Sequence, residues 1–224
     1  FPYGDYCSNK TSGCVATAIA QIMAYYRFPP SFTTTYTDAP HAGETIALNW
    51  TSMISYPYVY QVPALMREIG QRVGMRYSSP NSSNANPNNV PNCLISMGYS
   101  CSSGLVNFEM ASIRDALDER RPVCIDGRDA ANTRDGHTWI ADGYEYSRIG
   151  TEFYEEKLID NGLRLYYDYV LTSSTVQTTN LVHYNWGWNG DFNGLYAPVN
   201  GIYANGTTFN GLKMITSIRL AYVL

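Results

Sequence analysis

The sequence predicts an α+β fold with a helical N-terminal half and an antiparallel β C-terminal half. Three observations carry this. Apolar residues recur at helical spacing up to residue 120 and at a period of two from Pro122 onward. Turn signals separate the later runs at strand-like intervals. Helices grouped before strands are the mark of segregated layers rather than alternating βαβ units.

The first helix begins at Cys14, after the small-residue turn Thr11-Ser12-Gly13, with Val15, Ala18, Ile19, Ile22 and Tyr26 on one face. Phe28-Pro29-Pro30 ends it. Leu65, Met66, Ile69 and Val73 give a second helix over Pro63–Val73, and Met110, Ile113 and Leu117 a third over Glu109–Arg120. Between them, 78–92 is crowded with Ser, Asn and Pro and reads as a loop. Val123–Asp126 is a short strand, followed by a polar loop over 128–135 and a strand over His137–Gly143. Asp160-Asn161-Gly162 between aromatic-rich runs signals a hairpin. Leu181–Trp186, Gly194–Val199 and Leu212–Tyr222 complete the antiparallel set. No internal repeat is visible, and 224 residues with 45% hydrophobic content suit one domain of two lobes around a shared cleft.

Composition excludes several classes. A net charge of −4 and a pI near 5.3 leave no basic face for nucleic acid. No apolar run approaches the ~20 residues that span a bilayer. No CxxC or Cys/His cluster has zinc-ligand spacing, so neither a metal nor a cofactor is expected. The chain opens on Phe1 rather than Met, which suggests a segment removed upstream. Twenty tyrosines against 15 Lys plus Arg suit an extracellular surface. With Cys14 set aside, Cys7, Cys93, Cys101 and Cys124 either pair in one of three ways or stay reduced as small apolar residues.

The chemistry centres on Cys14. A helix start offers unpaired N–H groups and the positive end of the dipole, which favour a thiolate, the nucleophilic form of cysteine. That dipole supplies about 0.3–1 kcal/mol, or ~2 when partly buried, which is roughly one pKa unit. An imidazolium partner must supply the rest. His137 in Gly136-His137 is the candidate; His183, two residues before Asn185, is its competitor, and His41 lies in a Pro- and Gly-containing loop. Cys14, His137 and Asn185 in that order form an acyl-transfer kit. Asn185 would hold the imidazole in its working orientation, and Trp186 would shield that bond from water. Trp188 reads either as a core aromatic or as a cleft residue.

Gly13-Cys14-Val15-Ala16-Thr17-Ala18 with Ala20-Gln21-Ile22-Met23 resembles the nucleophile motif of the streptopain family of cysteine peptidases. Gly136-His137 leading to Ile140-Ala141-Asp142-Gly143 resembles that family's histidine strand, and His183-Tyr184-Asn185-Trp186-Gly187-Trp188 its third motif. The resemblance covers nearly the whole chain. It implies a papain-like fold and a secreted or cell-surface bacterial endopeptidase made as a zymogen. Its partners would be polypeptide substrates and a pro-segment or protein inhibitor. It sets Gly136, Trp188 and Gly206 beside the substrate, with a bulky apolar side chain preferred just before the residue whose bond is cut.

Two departures stand out. The family's oxyanion hole uses a glutamine ahead of the nucleophile, and none of the thirteen residues before Cys14 is Gln. Phe1-Pro2-Tyr3 resembles the segment just after that residue, so the numbered chain is expected to begin beyond it. Losing such a donor costs ~10²–10³ in rate. The stretch 144–180 is also longer than the family's turn and carries Tyr154, Tyr166, Tyr167 and Tyr169, most simply packed outside the sheet. The loop 200–211, with Gly201, Gly206 and Gly211, would border and gate the cleft. Two rival readings use the same fold: a catalytically weak binding module, and an acyltransferase passing the acyl group to an amine.

Overall fold

A computed structural model describes residues 11–37, 41–56, 58–79, 82–199 and 201–221. Phe1-Pro2-Tyr3, Cys7 and Tyr222 lie outside them. Among the described residues, five α-helices run α1 (Cys14–Tyr26), α2 (Trp50–Ser55), α3 (Gln61–Val73), α4 (Val90–Ser96) and α5 (Met110–Asp118). Among them lie the small strands β1 (Ser31–Thr33), β2 (Thr45–Ala47), β3 (Arg76–Ser79), β4 (Ser82–Asn84), β5 (Tyr99–Ser100) and β6 (Val106–Asn107). The second half is β7 (Val123–Asp129), β8 (Gly136–Asp160), β9 (Leu165–Asn185), β10 (Gly194–Tyr196), β11 (Ile202–Ala204), β12 (Thr207–Ile215) and β13 (Arg219–Leu220). The expected α+β arrangement is borne out. The antiparallel sheet has seven strands in the order β10-β9-β8-β7-β12-β11, with β6 also paired to β12.

Strand alternation divides the core in two. On β7 and β8, Cys124 and Ile140 face the helices and join α1, α3 and α4 in one apolar cluster. Val123, Ile125, Trp139 and Ala141 face the other way and join Tyr184, Trp186 and Phe209 in a second. The helix α1 packs against β8 and α3. Its apolar residues exceed one stripe: Ala16 and Met23 are buried along with Val15, Ala18, Ile19 and Ile22, as a helix covered on two sides requires. It ends where Arg27 adopts a left-handed conformation and its N–H caps Ala24 and Met23 carbonyls.

The differences from expectation have local causes. The stretch read as a loop over 78–92 contains the β3–β4 hairpin, a 3₁₀ turn at Pro87–Asn89 and the start of α4. Asn86 caps that turn through Asn88 N–H, and Pro91 sits in the first turn of α4, where its missing N–H is not needed. The loop expected at 200–211 is mostly the β11–β12 hairpin, in which Ile202 pairs with Phe209. Asn205 and Gly206 form its turn, both at positive φ (48° and 78°), as a two-residue hairpin requires. The C-terminal strand expected from Leu212 to Tyr222 divides into β12 and the separate β13, which pairs with β5. The hairpin at Asp160-Asn161-Gly162 forms as expected, with Asp160 opposite Leu165.

Candidate active site

Cys14 is the first residue of α1, and Gly13 ahead of it has φ 84°. A Cβ at Gly13 would lie 2.7 Å from Met75 Cε, so both conformation and space call for glycine. The first intrahelical bond runs from Thr17 N–H to the Gly13 carbonyl. The Cys14 and Val15 N–H groups are therefore free of helical acceptors, and both are directed at the Cys14 sulfur. The Thr138 backbone N–H donates to it as well. The β8–β9 ladder begins only at Ile140 opposite Asn185, which leaves this end of β8 with an edge open to the sulfur. Cys14 and His137 line one cleft.

The His137 ring is 9% exposed and boxed by aromatic rings. Trp188 is 4.6 Å away, and Trp139, Trp186 and Phe209 are each 6.0 Å away between centroids. Its Nε2–H donates to the Trp186 carbonyl oxygen at 2.8 Å. That bond fixes the tautomer and leaves Nδ1 as the acceptor nitrogen. Burial lowers the ring to about 4, with the Trp186 carbonyl opposing. Burial likewise raises the Cys14 thiol, against the three N–H donors that lower it. Each group alone therefore stays neutral. The expected thiolate–imidazolium pair would need proton transfer from Cys14 to His137, with each new charge offsetting the other's burial.

The bond expected between Asn185 and the imidazole is made instead by the Trp186 carbonyl. Asn185 Oδ1 accepts from Gln21 Nε2 at 2.8 Å and from Gly187 N–H at 3.2 Å. Asn185 thus fastens α1 to the turn after β9. Gly187, at φ 74°, packs so closely on α1 that a Cβ there would lie 2.8 Å from Thr17 Cγ2. Trp186 is buried, and its backbone N–H donates to Asn193 Oδ1 at 3.0 Å. Trp188 lies parallel to it, with centroids 5.2 Å apart, and lines the cleft.

Of the residues expected beside substrate, Gly136 and Trp188 line the cleft, and Gly206 does not; it sits in the β11–β12 turn. A Cβ at Gly136 would approach the Gly127 carbonyl oxygen to 2.6 Å. His183 is off the cleft, with Nδ1 2.5 Å from Asp142 Oδ1. Half-buried His41 pairs with Glu44. Three further cleft residues have no role assigned by the sequence motifs: Gln21, a polar residue on an apolar helix and part of the nucleophile motif; Thr138; and Asp126, a carboxylate within β7. Cys93, Cys101 and Cys124 are free thiols, with burial pushing Cys93 up to about 12 and Cys101 to about 11.

A profile described as the Peptidase C10 family matches residues 1–196. Streptopain of Streptococcus pyogenes is 26% identical over 217 residues, covering 84% of this chain and 46% of its own length, and the serotype M1 protein matches to the same extent. The chain spans about half the length of the curated relatives it matches. The solved structure of active wild-type interpain A cysteine protease from Prevotella intermedia superposes with a TM-score of 0.57 over 92% of this chain and 85% of that one. At 22% identity this is a likeness of fold, and it bears out the papain-like architecture. With the family profile covering most of its length, the chain belongs to the Peptidase C10 family.

Proposed function

We propose that the protein is a secreted cysteine endopeptidase in which Cys14 is the nucleophile and His137 its general base and acid. The observation that carries this reading is the meeting of a helix-start sulfur with the Thr138 N–H, one residue from an imidazole whose far nitrogen is already held. His137 Nδ1 takes the thiol proton as the sulfur attacks a peptide carbonyl. The ring then protonates the leaving amine, and the acyl-enzyme is cleared by a water that the neutral ring activates. The unpaired N–H groups at the start of α1 supply donors to the oxyanion. Trp50, Met53, Val62, Leu65 and Met66 give the cleft an apolar wall, which suits a bulky apolar substrate side chain. Gly136 and Trp188 would flank the bound polypeptide.

Casein cleavage by single variants tests the reading. Cys14→Ala and His137→Ala should each abolish cleavage, and His183→Ala should retain it. Loss of activity in the His183 variant alone would reassign the base. A binding module on the same fold is the second reading, drawn from the exposed tyrosines of the long β8–β9 hairpin. Iodoacetamide labelling of Cys14 without casein turnover would favour it.

A further inference from the structure

Asp126 takes no step in the chemistry above, yet it is 4% exposed and lines the cleft beside Cys14. A buried carboxylate next to a sulfur that must become negative is unfavourable unless it serves a purpose. Its connections point to one. On β7 it stands opposite Thr138 of β8, whose hydroxyl donates to Asp126 Oδ1 at 2.9 Å. The backbone N–H of the same threonine donates to the Cys14 sulfur. One residue thus touches the carboxylate with its side chain and the nucleophile with its main chain.

We propose that Asp126 is a positioning residue that, through Thr138 and through its own charge, sets the pH at which Cys14 becomes a nucleophile. The proposal rests on the peptidase reading for its biological meaning. Asp126 faces Cys14 of α1, with Cys124 and Arg128 on its own strand and Thr138 and His137 on β8. Lys213 lies across on β12, where Nζ donates to Asn107 Oδ1, and Arg134 and Asp135 line the same cleft. Arg128 stands 3.3 Å from Asp126 Oδ2 with 41% of its side chain exposed, so water screens its compensation.

The carboxylate raises the Cys14 thiol, whereas the shift of His137 comes from burial and the Trp186 carbonyl. The carboxyl is itself raised by burial, with Arg128 and Thr138 opposing. While Asp126 is ionised, its charge opposes the Cys14 thiolate, so removing that charge favours ionisation of the sulfur at any pH where the carboxylate is charged.

The test is the pH profile of iodoacetamide labelling, mapped to Cys14 by peptide mass, on the full chain. Asp126→Asn should move the midpoint to lower pH and raise the neutral-pH rate about 3–10-fold, a tenfold change corresponding to one pKa unit. Asp126→Glu, which keeps the charge, should follow the parent. A parental midpoint in the Asn variant overturns the proposal, as does an equal shift in the Glu variant. If Asp126→Asn fails to fold, Thr138→Val decides. Removing that hydroxyl breaks the link between the carboxylate and the strand segment that meets the sulfur, so the Cys14 midpoint should move, and an unchanged midpoint refutes the idea. Labelling reads the sulfur without turnover: a shifted profile with no casein cleavage sinks the peptidase reading and keeps this one.

Discussion

The two ends of the β8–β9 pair make opposite use of the same strands. At the cleft end, β7 pairs with β8 as far as Ala141, and β10 covers β9 at Val182–Tyr184. There Trp139 and Tyr184 are fully buried. Beyond, Glu145 to Leu181 form a two-stranded ribbon whose ladder runs to Asp160 opposite Leu165, roughly 50 Å at ~3.3 Å per residue. Tyr169 is 69% exposed, and Tyr154, Leu158, Tyr167 and Leu171 are also exposed. Apolar content alone did not decide burial. Lateral partners did: a strand buries its side chains only where neighbouring elements cover its faces, and an isolated hairpin is marginal in water.

The largest expected effect comes from the cleft end. Cys14→Ser should reduce casein turnover by at least ~10³-fold and leave the melting temperature nearly unchanged, since the two side chains are close in size. Next, Trp139→Ala should cost about 3–5 kcal/mol in urea unfolding, whereas Tyr167→Ala on the ribbon should stay within ~0.5 kcal/mol. A comparable loss at Tyr167 would mean that the ribbon is structurally coupled to the core. Acid sharpens the contrast. His137 is neutral in the fold, with its affinity for protons lowered to about 4, so the unfolded chain binds more protons between about pH 6.5 and pH 4. Stability should be full above that window and fall by roughly 3 kcal/mol across it, and urea midpoints at pH 7 and pH 4.5 would show this.

A smaller effect is expected at the Asn185 fastening. A double-mutant cycle on Gln21→Ala and Asn185→Ala should give a coupling of ~1 kcal/mol, with a modest fall in turnover and no change in its pH profile. A moved profile would restore the direct role on the imidazole. Smallest of all, replacing 147–179 by an Asn-Gly turn should leave casein cleavage within about twofold. A larger loss would show that the ribbon contributes to substrate handling.

The parts of the fold with strong periodicity were legible. The helix from Cys14 to Tyr26 and the histidine strand follow from spacing alone, and the ribbon's turn from Asn161-Gly162. Helix α4 was not legible, because Pro91 and the surrounding asparagines carry loop composition while serving as cap and first turn. The approach of Cys14 and His137 to one cleft was foreseeable from motif order. The acceptor for the ring was not, since a main-chain oxygen has no residue type to read. Asp126 was hidden for another reason: the Val123-Cys124-Ile125 run that precedes it looks like a strand end, and only the register with Thr138 brings it inward.

That main-chain acceptor has an evolutionary corollary. Because the imidazole is oriented by the carbonyl of Trp186, no side-chain change at position 186 can delete the acceptor. With the histidine in place, drift disturbs this bond by rerouting the chain around positions 186 and 187, so the glycine at 187 and the Asn193 amide anchor become places where inheritance guards the geometry.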